Sequence, residues 1–425
     1  MSFASLGLNA PILRALTDAG YQTPTEVQRE AVPAALAGRD LLVSSRTGTG
    51  KTAAFMLPSL HRLAEPARCA ARGPRILVLT PTRELAAQVA QAAEKYGQHL
   101  SHARVVSIIG GVAYPVQNRM LSRPYEILVA TPGRLIDQMQ SGRIDFSRLE
   151  ALVLDEADRM LDLGFIDDIE AIVAKLPKTR QTLLFSATLD ARIARLSRGL
   201  LKDPHSIAVA TTSAAESTIE QRLLFADGLP HKGRLLDSIL RDTDLRQAIV
   251  FTATKREADS LAAELSQTGF AAAALHGDMR QNERKRTLTE LRRGRLRVLV
   301  ATDVAARGID VEGISHVINF DLPRSGEDYV HRIGRTGRAG KSGVAISLVA
   351  RGQIGQVRAI ERYTRQAIPV HTVPGLEPQA AAARRGIGEP RKPSSPSRGF
   401  QPGVRTPKTP WAKEATHAKR RPARG

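Results

Sequence analysis

Leu41-Leu42-Val43-Ser44-Ser45-Arg46-Thr47-Gly48-Thr49-Gly50-Lys51-Thr52 runs from an apolar triplet into a glycine-rich turn and on into a helix-like run, Ala53 to Leu57. The triplet predicts a strand, so the stretch reads strand, loop, helix. It is nearly the Walker A pattern, with the closing Gly-Lys-Thr intact. Glycines let the backbone wrap closely around phosphate oxygens. The helix N-terminus adds N–H donors and a favourable dipole. In this loop, Arg46, Thr47, Gly48, Thr49 and Gly50 supply the cradle. Lys51 is the candidate for the β- and γ-phosphates, and Thr52 for magnesium. Ser45 stands where the pattern has Gly or Ala, a small departure because serine is compact. A plain glycine-rich turn is the competing reading, and the strand-loop-helix context argues against it.

Further on, the predicted strand Ala151–Leu154 ends in Asp155-Glu156-Ala157-Asp158. Ligands of α/β sheets gather at the carboxyl ends of strands. Two adjacent carboxylates there divide the work: Asp155 is expected to hold magnesium and Glu156 to orient and deprotonate the attacking water. An acidic helix start would look similar in isolation.

Around these two motifs the chain alternates strands and helices. Apolar runs recur at Ile76-Leu77-Val78-Leu79, 105–109, Ile127-Leu128-Val129 and Leu183-Leu184-Phe185, with helix-like segments such as Arg83–Tyr96 and 166–175 between them. Continuous apolar runs suit strands buried on both faces of a parallel sheet. The pattern returns at Ile249-Val250-Phe251, Ala272–Leu275, Val298-Leu299-Val300, Val317-Ile318 and 344–349. The expected architecture is two doubly wound α/β lobes, 1–207 and 219–374. A small, polar linker at 208–218 joins them. A basic tail, 375–425, is rich in Pro, Gly and Ser, holds the single tryptophan Trp411, and is expected to be disordered.

Charge follows this division. The 425 residues carry a net +20, of which residues 1–207 contribute +5, 208–374 contribute +6 and the 51-residue tail +9. An anionic partner is expected, and only 4% aromatic content argues for backbone grip rather than base stacking. No apolar run is long enough for a membrane-spanning helix, and Met1 to Leu8 lack the features of a secretory signal. The single cysteine, Cys69, permits neither an intramolecular disulfide nor a cysteine metal cluster and suits a reducing, cytoplasmic setting.

Taken together, the motifs resemble those of the DEAD-box RNA helicases, specifically the bacterial RhlE-like group, from about Phe3 to about Pro374. Gly20-Tyr21-Gln22-Thr23-Pro24-Thr25-Glu26-Val27-Gln28 is similar to the adenine-recognising Q motif, with Phe3 as its upstream aromatic. Pro81-Thr82-Arg83-Glu84-Leu85, Gly110-Gly111 and Thr131-Pro132-Gly133-Arg134-Leu135 resemble the RNA-contacting motifs of the first lobe. Ser186-Ala187-Thr188 resembles the motif that couples nucleotide state to strand separation. In the second lobe, Val250 to Thr254, His276-Gly277-Asp278 and residues 281–284 resemble RNA-side elements, and 301–310 a motif that touches both ligands. His331-Arg332-Ile333-Gly334-Arg335-Thr336-Gly337-Arg338 resembles the arginine-finger motif.

The resemblance implies two tandem RecA-like lobes that close on RNA with ATP and Mg2+. It assigns Phe3, Tyr21, Gln28 and Asp310 to the nucleotide, Arg335 and Arg338 to catalysis with Glu156, and Ser186, Thr188 and His331 to coupling. Pro81, Thr82, Arg83, Gly111, Thr131, Gly133, Arg134, Thr254, Gly277, Arg284 and Thr302 are assigned to RNA. Gln28 carries both a donor and an acceptor, which suits an adenine edge. Arginine, threonine and glycine grip phosphate and sugar rather than bases, so low sequence specificity on structured or duplex RNA is expected. The competing functions are a DNA helicase or translocase of the same plan and a nonenzymatic RNA clamp or annealing chaperone.

Overall fold

The computed structural model describes residues 2–45, 48–67, 71–209, 219–306, 311, 313–337 and 342–379. Arg46, Thr47, Cys69, Asp310, Arg338, Trp411, linker residues 210–218 and the tail from 380 lie outside the described residues.

The first sheet holds β1 Leu41–Ser44, β2 Ile76–Leu79, β3 Val105–Ile108, β4 Ile127–Ala130, β5 Ala151–Leu154, β6 Gln181–Ser186 and β7 His205–Ala208. All pair in parallel, in the order β3-β4-β2-β5-β6-β1-β7. Alternate strand residues point to opposite faces. Ile76, Val78, Ile127, Val129 and Val153 therefore join one core, which includes Ala31, Phe55 and Val89 from helices on that side. Leu77, Leu79, Leu128, Leu152 and Leu154 join the other, with Leu135, Ile169 and Ile193. Both faces are covered, which is why these strands read as unbroken apolar runs.

The second sheet holds β8 Ile219–Ala226, β9 Ala248–Phe251, β10 Ala272–Leu275, β11 Val298–Ala301, β12 His316–Asn319, β13 Gly343–Ala350 and β14 Val370–His371. Its order, β10-β11-β9-β12-β13-β8-β14, repeats the first position for position, again all parallel. The expected doubly wound lobes are present, and both have one topology. Strands β7, β8 and β14 were not among the expected runs. The second lobe also continues past the expected boundary at 374. Leu376 packs on its core, and the Gln379 N–H donates to Asp227 Oδ2 at 2.8 Å.

The shared strand order sorts the motifs. In lobe 1 the phosphate loop and the acidic motif follow β1 and β5, and Ser186 ends β6; the three strands are neighbours. Thr82, Gly111 and Thr131 follow β2, β3 and β4, the neighbouring strands of the other half. Lobe 2 repeats the second set: Thr254, Gly277 and Thr302 follow β9, β10 and β11.

Candidate nucleotide site and nucleic-acid face

The loop after β1 turns into the helix Lys51–Leu63, with Gly48 and Gly50 in the left-handed region at φ 86° and 90°. A Cβ at Gly50 would run into the Gln28 amide. Ser45 helps close the loop: its Oγ lies 2.6 Å from Thr49 Oγ1, and its N–H donates to the Ser186 carbonyl at 3.0 Å. Lys51 is buried, and its ammonium donates to the Ser45 carbonyl at 2.7 Å. Thr52 is half-buried in the first turn of the helix.

Gln28 is 3% exposed and ties the adenine motif to this loop. Its Oε1 accepts the Thr25 N–H at 3.0 Å, and its Nε2 donates to the Gly50 carbonyl at 3.1 Å. Each end of the amide keeps one further hydrogen-bonding position for a base. Phe3 is buried and packs edge-on against Tyr21 at 6.4 Å, so Tyr21 is the ring of the two that reaches solvent.

Asp155 is buried at the end of β5, and burial pushes its carboxyl up to about 7 against the pull of Lys51. Its Oδ1 has no hydrogen-bond partner among the described residues. A buried carboxyl oxygen without a partner, at a strand end close enough to Lys51 to feel its charge, fits a hard divalent cation. Glu156 caps the next helix at φ 52° and ψ 54°. A non-glycine residue held there stores about 1–3 kcal/mol of strain, a cost that clusters at functional sites. Asp158 Oδ2 accepts the N–H groups of Ala187 at 2.8 Å and Thr188 at 3.1 Å. This carboxylate joins the acidic motif to the expected coupling motif, whose Ser186 is fully buried.

Both lobes contribute to the pocket over these groups, lined by Lys51, Glu156, Asp158, Arg159, Ala187, His331 and Arg335. His331 and Arg335 leave lobe 2 on and just after the helix Gly326–Ile333. Burial pushes the His331 imidazole down to about 4, with Asp158 opposing and Arg335, Arg159 and Lys51 adding to the fall. Arg159, which follows the acidic motif, is 6% exposed and its Nε has no partner among the described residues. Sequence reasoning gave it no role. Next to His331 on the same helix, Arg332 binds Asp303 bidentately at 2.6 and 2.8 Å, with its guanidinium 4.8 Å from the Phe251 ring.

On the other half of lobe 1, Pro81 is buried, and Thr82 Oγ1 caps the helix Arg83–Tyr96 by accepting the Leu85 N–H at 3.2 Å. Gly111 sits at φ 81°, and a Cβ there would collide with the Arg83 guanidinium. Arg134 donates to the Val112 carbonyl at 2.7 Å. Thr131 is the residue before the helix Pro132–Gln140, and Gly133 leaves open space above that helix start. Burial pushes the Arg83 guanidinium down, Arg284 and Arg134 push it further and Glu84 opposes, so three arginines from two lobes meet around one carboxylate. Thr254 is exposed and caps the helix Lys255–Gln267, while Thr302 is buried at the end of β11. Gly277 lies against Lys255, a basic residue that sequence reasoning missed. Arg284, expected on phosphate, is buried, with its guanidinium on Glu84 of lobe 1 and on the His276 carbonyl. Glu84 had been read only as part of a motif string, and no sequence signal marks a pair 200 positions apart.

A family model described as DEAD/DEAH box helicase matches residues 25–196, and one described as helicase conserved C-terminal domain matches 231–340. The chain is 46% identical over 376 residues to ATP-dependent RNA helicase DeaD of Klebsiella pneumoniae, covering 88% of this chain and 58% of the relative. It is 43% identical over 382 residues to ATP-dependent RNA helicase SrmB of Escherichia coli (strain K12), covering 90% and 86%. The chain thus spans about three-fifths of the DeaD relative and most of SrmB. Among solved structures, S. cerevisiae Dbp5 bound to RNA and ADP BeF3 matches with a TM-score of 0.79 and 32% identity, covering 87% of this chain and 95% of that one. Tandem RecA-like lobes, expected from the motifs, are the fold.

Proposed function

Because the chain belongs to the DEAD/DEAH box helicase family, we propose that it is an ATP-dependent RNA helicase, separating short duplexes or remodelling RNA-protein complexes as its lobes close. One observation carries this reading. Groups for phosphate, water activation and transition-state charge come from different lobes and line a single pocket. A nonenzymatic clamp has no need of that set.

In this reading Lys51 leaves the Ser45 carbonyl to hold the terminal phosphates, and the loop N–H groups hold the rest. Thr52 and Asp155 hold Mg2+, which neutralises phosphate charge when bound. Glu156 takes the proton of the attacking water. Arg335, with Arg338 from the undescribed segment, stabilises charge on the transferred phosphoryl group, a role worth about 10³–10⁵ in rate. Arg335 comes from lobe 2, so turnover requires closure. Asp158 transmits that state to Ala187 and Thr188 through its two N–H acceptor contacts. Asp310 is kept on the nucleotide in this proposal.

The RNA track runs over Thr82, Arg83, Gly111, Thr131 and Arg134 and continues onto Thr254, Gly277 and Thr302, all at the carboxyl ends of matching strands. Arg284 stays with it as the residue that joins the two halves. Placement in the RhlE-like subgroup rests on the motif run alone, and a cytoplasmic setting rests on the single cysteine. No helix of the described residues is long and apolar enough to cross a membrane.

The test compares ATPase stimulation by RNA and by DNA of equal length. Strong stimulation by RNA is expected; stronger stimulation by DNA overturns the RNA assignment and leaves a DNA translocase.

A further inference from the structure

Tyr114 stands out on the RNA half of lobe 1. It opens the helix Tyr114–Leu121, three positions after Gly111, and is 45% exposed. Among the described residues only two other aromatic rings are exposed, Tyr21 at 39% and Tyr363 at 51%. Tyr21 lies on the nucleotide side and Tyr363 on lobe 2.

The Tyr114 ring is also held. Its hydroxyl donates to Asp137 Oδ2 at 2.7 Å. The Arg134 guanidinium lies 4.3 Å from the ring centroid. Arg134 is in turn fixed by the Val112 carbonyl at 2.7 Å and by Asp137 at 3.5 Å. A cation on one face and an anchored hydroxyl fix the plane of the ring. A guanidinium covers one ring face only, so the exposed area belongs to the remainder of the ring.

Resting on the RNA reading above, we propose that Tyr114 is a stacking platform for one unpaired nucleobase of the strand gripped through Arg83, Gly111 and Arg134. Every base has a π-face, so such a platform tolerates any sequence. It places one base contact within an otherwise backbone-read track, which low aromatic content had argued against. Pre-ordering by Asp137 and Arg134 lowers the entropy lost on stacking. Tyr114→Phe keeps the ring and loses only the Asp137 hydrogen bond. Tyr114→Ala loses the platform.

The experiment titrates a short fluorescent single-stranded RNA against the full chain with Mg2+ and ADP-BeF3. It is repeated with RNAs carrying one abasic site walked along the strand. Tyr114→Ala is expected to weaken intact RNA about five- to tenfold, at the lower end for base–aromatic stacking, and Tyr114→Phe less than twofold. One abasic position should weaken wild type by the same factor and add nothing to Tyr114→Ala. Equal, additive losses at every abasic position would overturn the proposal and leave Tyr114 a support for Arg134. The abasic walk on the wild-type chain carries the test even where Tyr114→Ala does not fold: absence of a sensitive position sinks the platform. Wild type that binds no RNA under these conditions removes the RNA reading itself and the platform with it. RNA binding without abasic sensitivity removes the platform alone.

Discussion

Glu84 in lobe 1 and Arg284 in lobe 2 form a buried ion pair across the lobes, at 2.6 Å with both side chains 4% exposed. A buried charge that loses its partner costs about 3–5 kcal/mol, whereas removing both charges is often neutral. In the separated lobes each charge regains water, so the cost falls on closure rather than on folding. Arg284→Ala and Glu84→Ala should each lower RNA-stimulated ATPase at least ~100-fold. Arg284→Ala should also lower the melting of lobe 2, because its guanidinium holds the His276 carbonyl. The double variant should recover much of the loss. Losses that add in the double variant would show that the pair carries no coupling across the lobes.

Glu156→Gln preserves size and the left-handed backbone at φ 52° while removing the base. Turnover should fall about 10²–10⁴-fold, the usual worth of a general base. Nucleotide affinity should stay within a few-fold, and RNA should be trapped by the closed lobes. Steady-state ATPase, nucleotide titration and RNA release rates read the three effects. Near-wild-type turnover would remove Glu156 from its assigned role.

Which parts of this arrangement were legible in the sequence follows from where information about each group resides. The phosphate loop and acidic motif are local strings at strand ends, and the central strands are covered on both faces, so both announce themselves. Strand β7, with Ile207 as its one fully buried residue, lacks an apolar run because it is an edge. In β8 only Leu223 to Ala226 are buried, and Ile219 to Arg222 read as polar chain. They become a strand through pairing with β13, a partner far along the chain. Glu84–Arg284 and the place of Arg159 depend on how two lobes meet, which no spacing within either lobe encodes. Arg284 reads as a phosphate contact from its local string, and its ion pair with Glu84 is not encoded there.

Glu327 makes that meeting sensitive to pH. It sits in the first turn of the helix Gly326–Ile333, with Oε1 lacking a partner among the described residues. Burial pushes its carboxyl up to about 7; Asp158, Asp162 and Asp190 of lobe 1 add to the rise and Arg192 opposes it. The docked lobes thus hold a proton that the separated lobes release between about pH 4.5 and 7. Docking is favoured while Glu327 is neutral and weakens as pH rises through 7. His331, whose imidazole burial pushes down to about 4, works the other way below about pH 6.5. The comparison is therefore between wild type and Glu327→Gln. From pH 6 to 8 the variant should lose a few-fold less affinity than wild type in the ATP-analogue state, screening having reduced the effect at a half-exposed site. Equal slopes in the two would remove Glu327 from the pH response.

The basic tail can be removed without touching lobe 2 only if the cut respects Leu376 and Gln379. Leu376 packs on the second core, its carbonyl lies 3.0 Å from His231 Nε2, and the Gln379 N–H donates to Asp227 at 2.8 Å. Residues 380–425 carry 12 basic and 2 acidic side chains. Each phosphate neutralised by such a cation contributes about 0.7 to the slope of log affinity against log salt on a single strand. Deleting 380–425 should weaken RNA binding at low salt, flatten the slope by roughly 2–4 units and leave thermal stability unchanged. Deleting 375–425 should do the same and also lower the melting temperature of lobe 2, because burial of Leu376 is worth about 1–2 kcal/mol. The two truncations separate electrostatic grip from packing, since salt titration reads the first and melting the second. An unchanged salt slope in both would make the tail a spacer; equal melting in both would place the end of lobe 2 before Gly375.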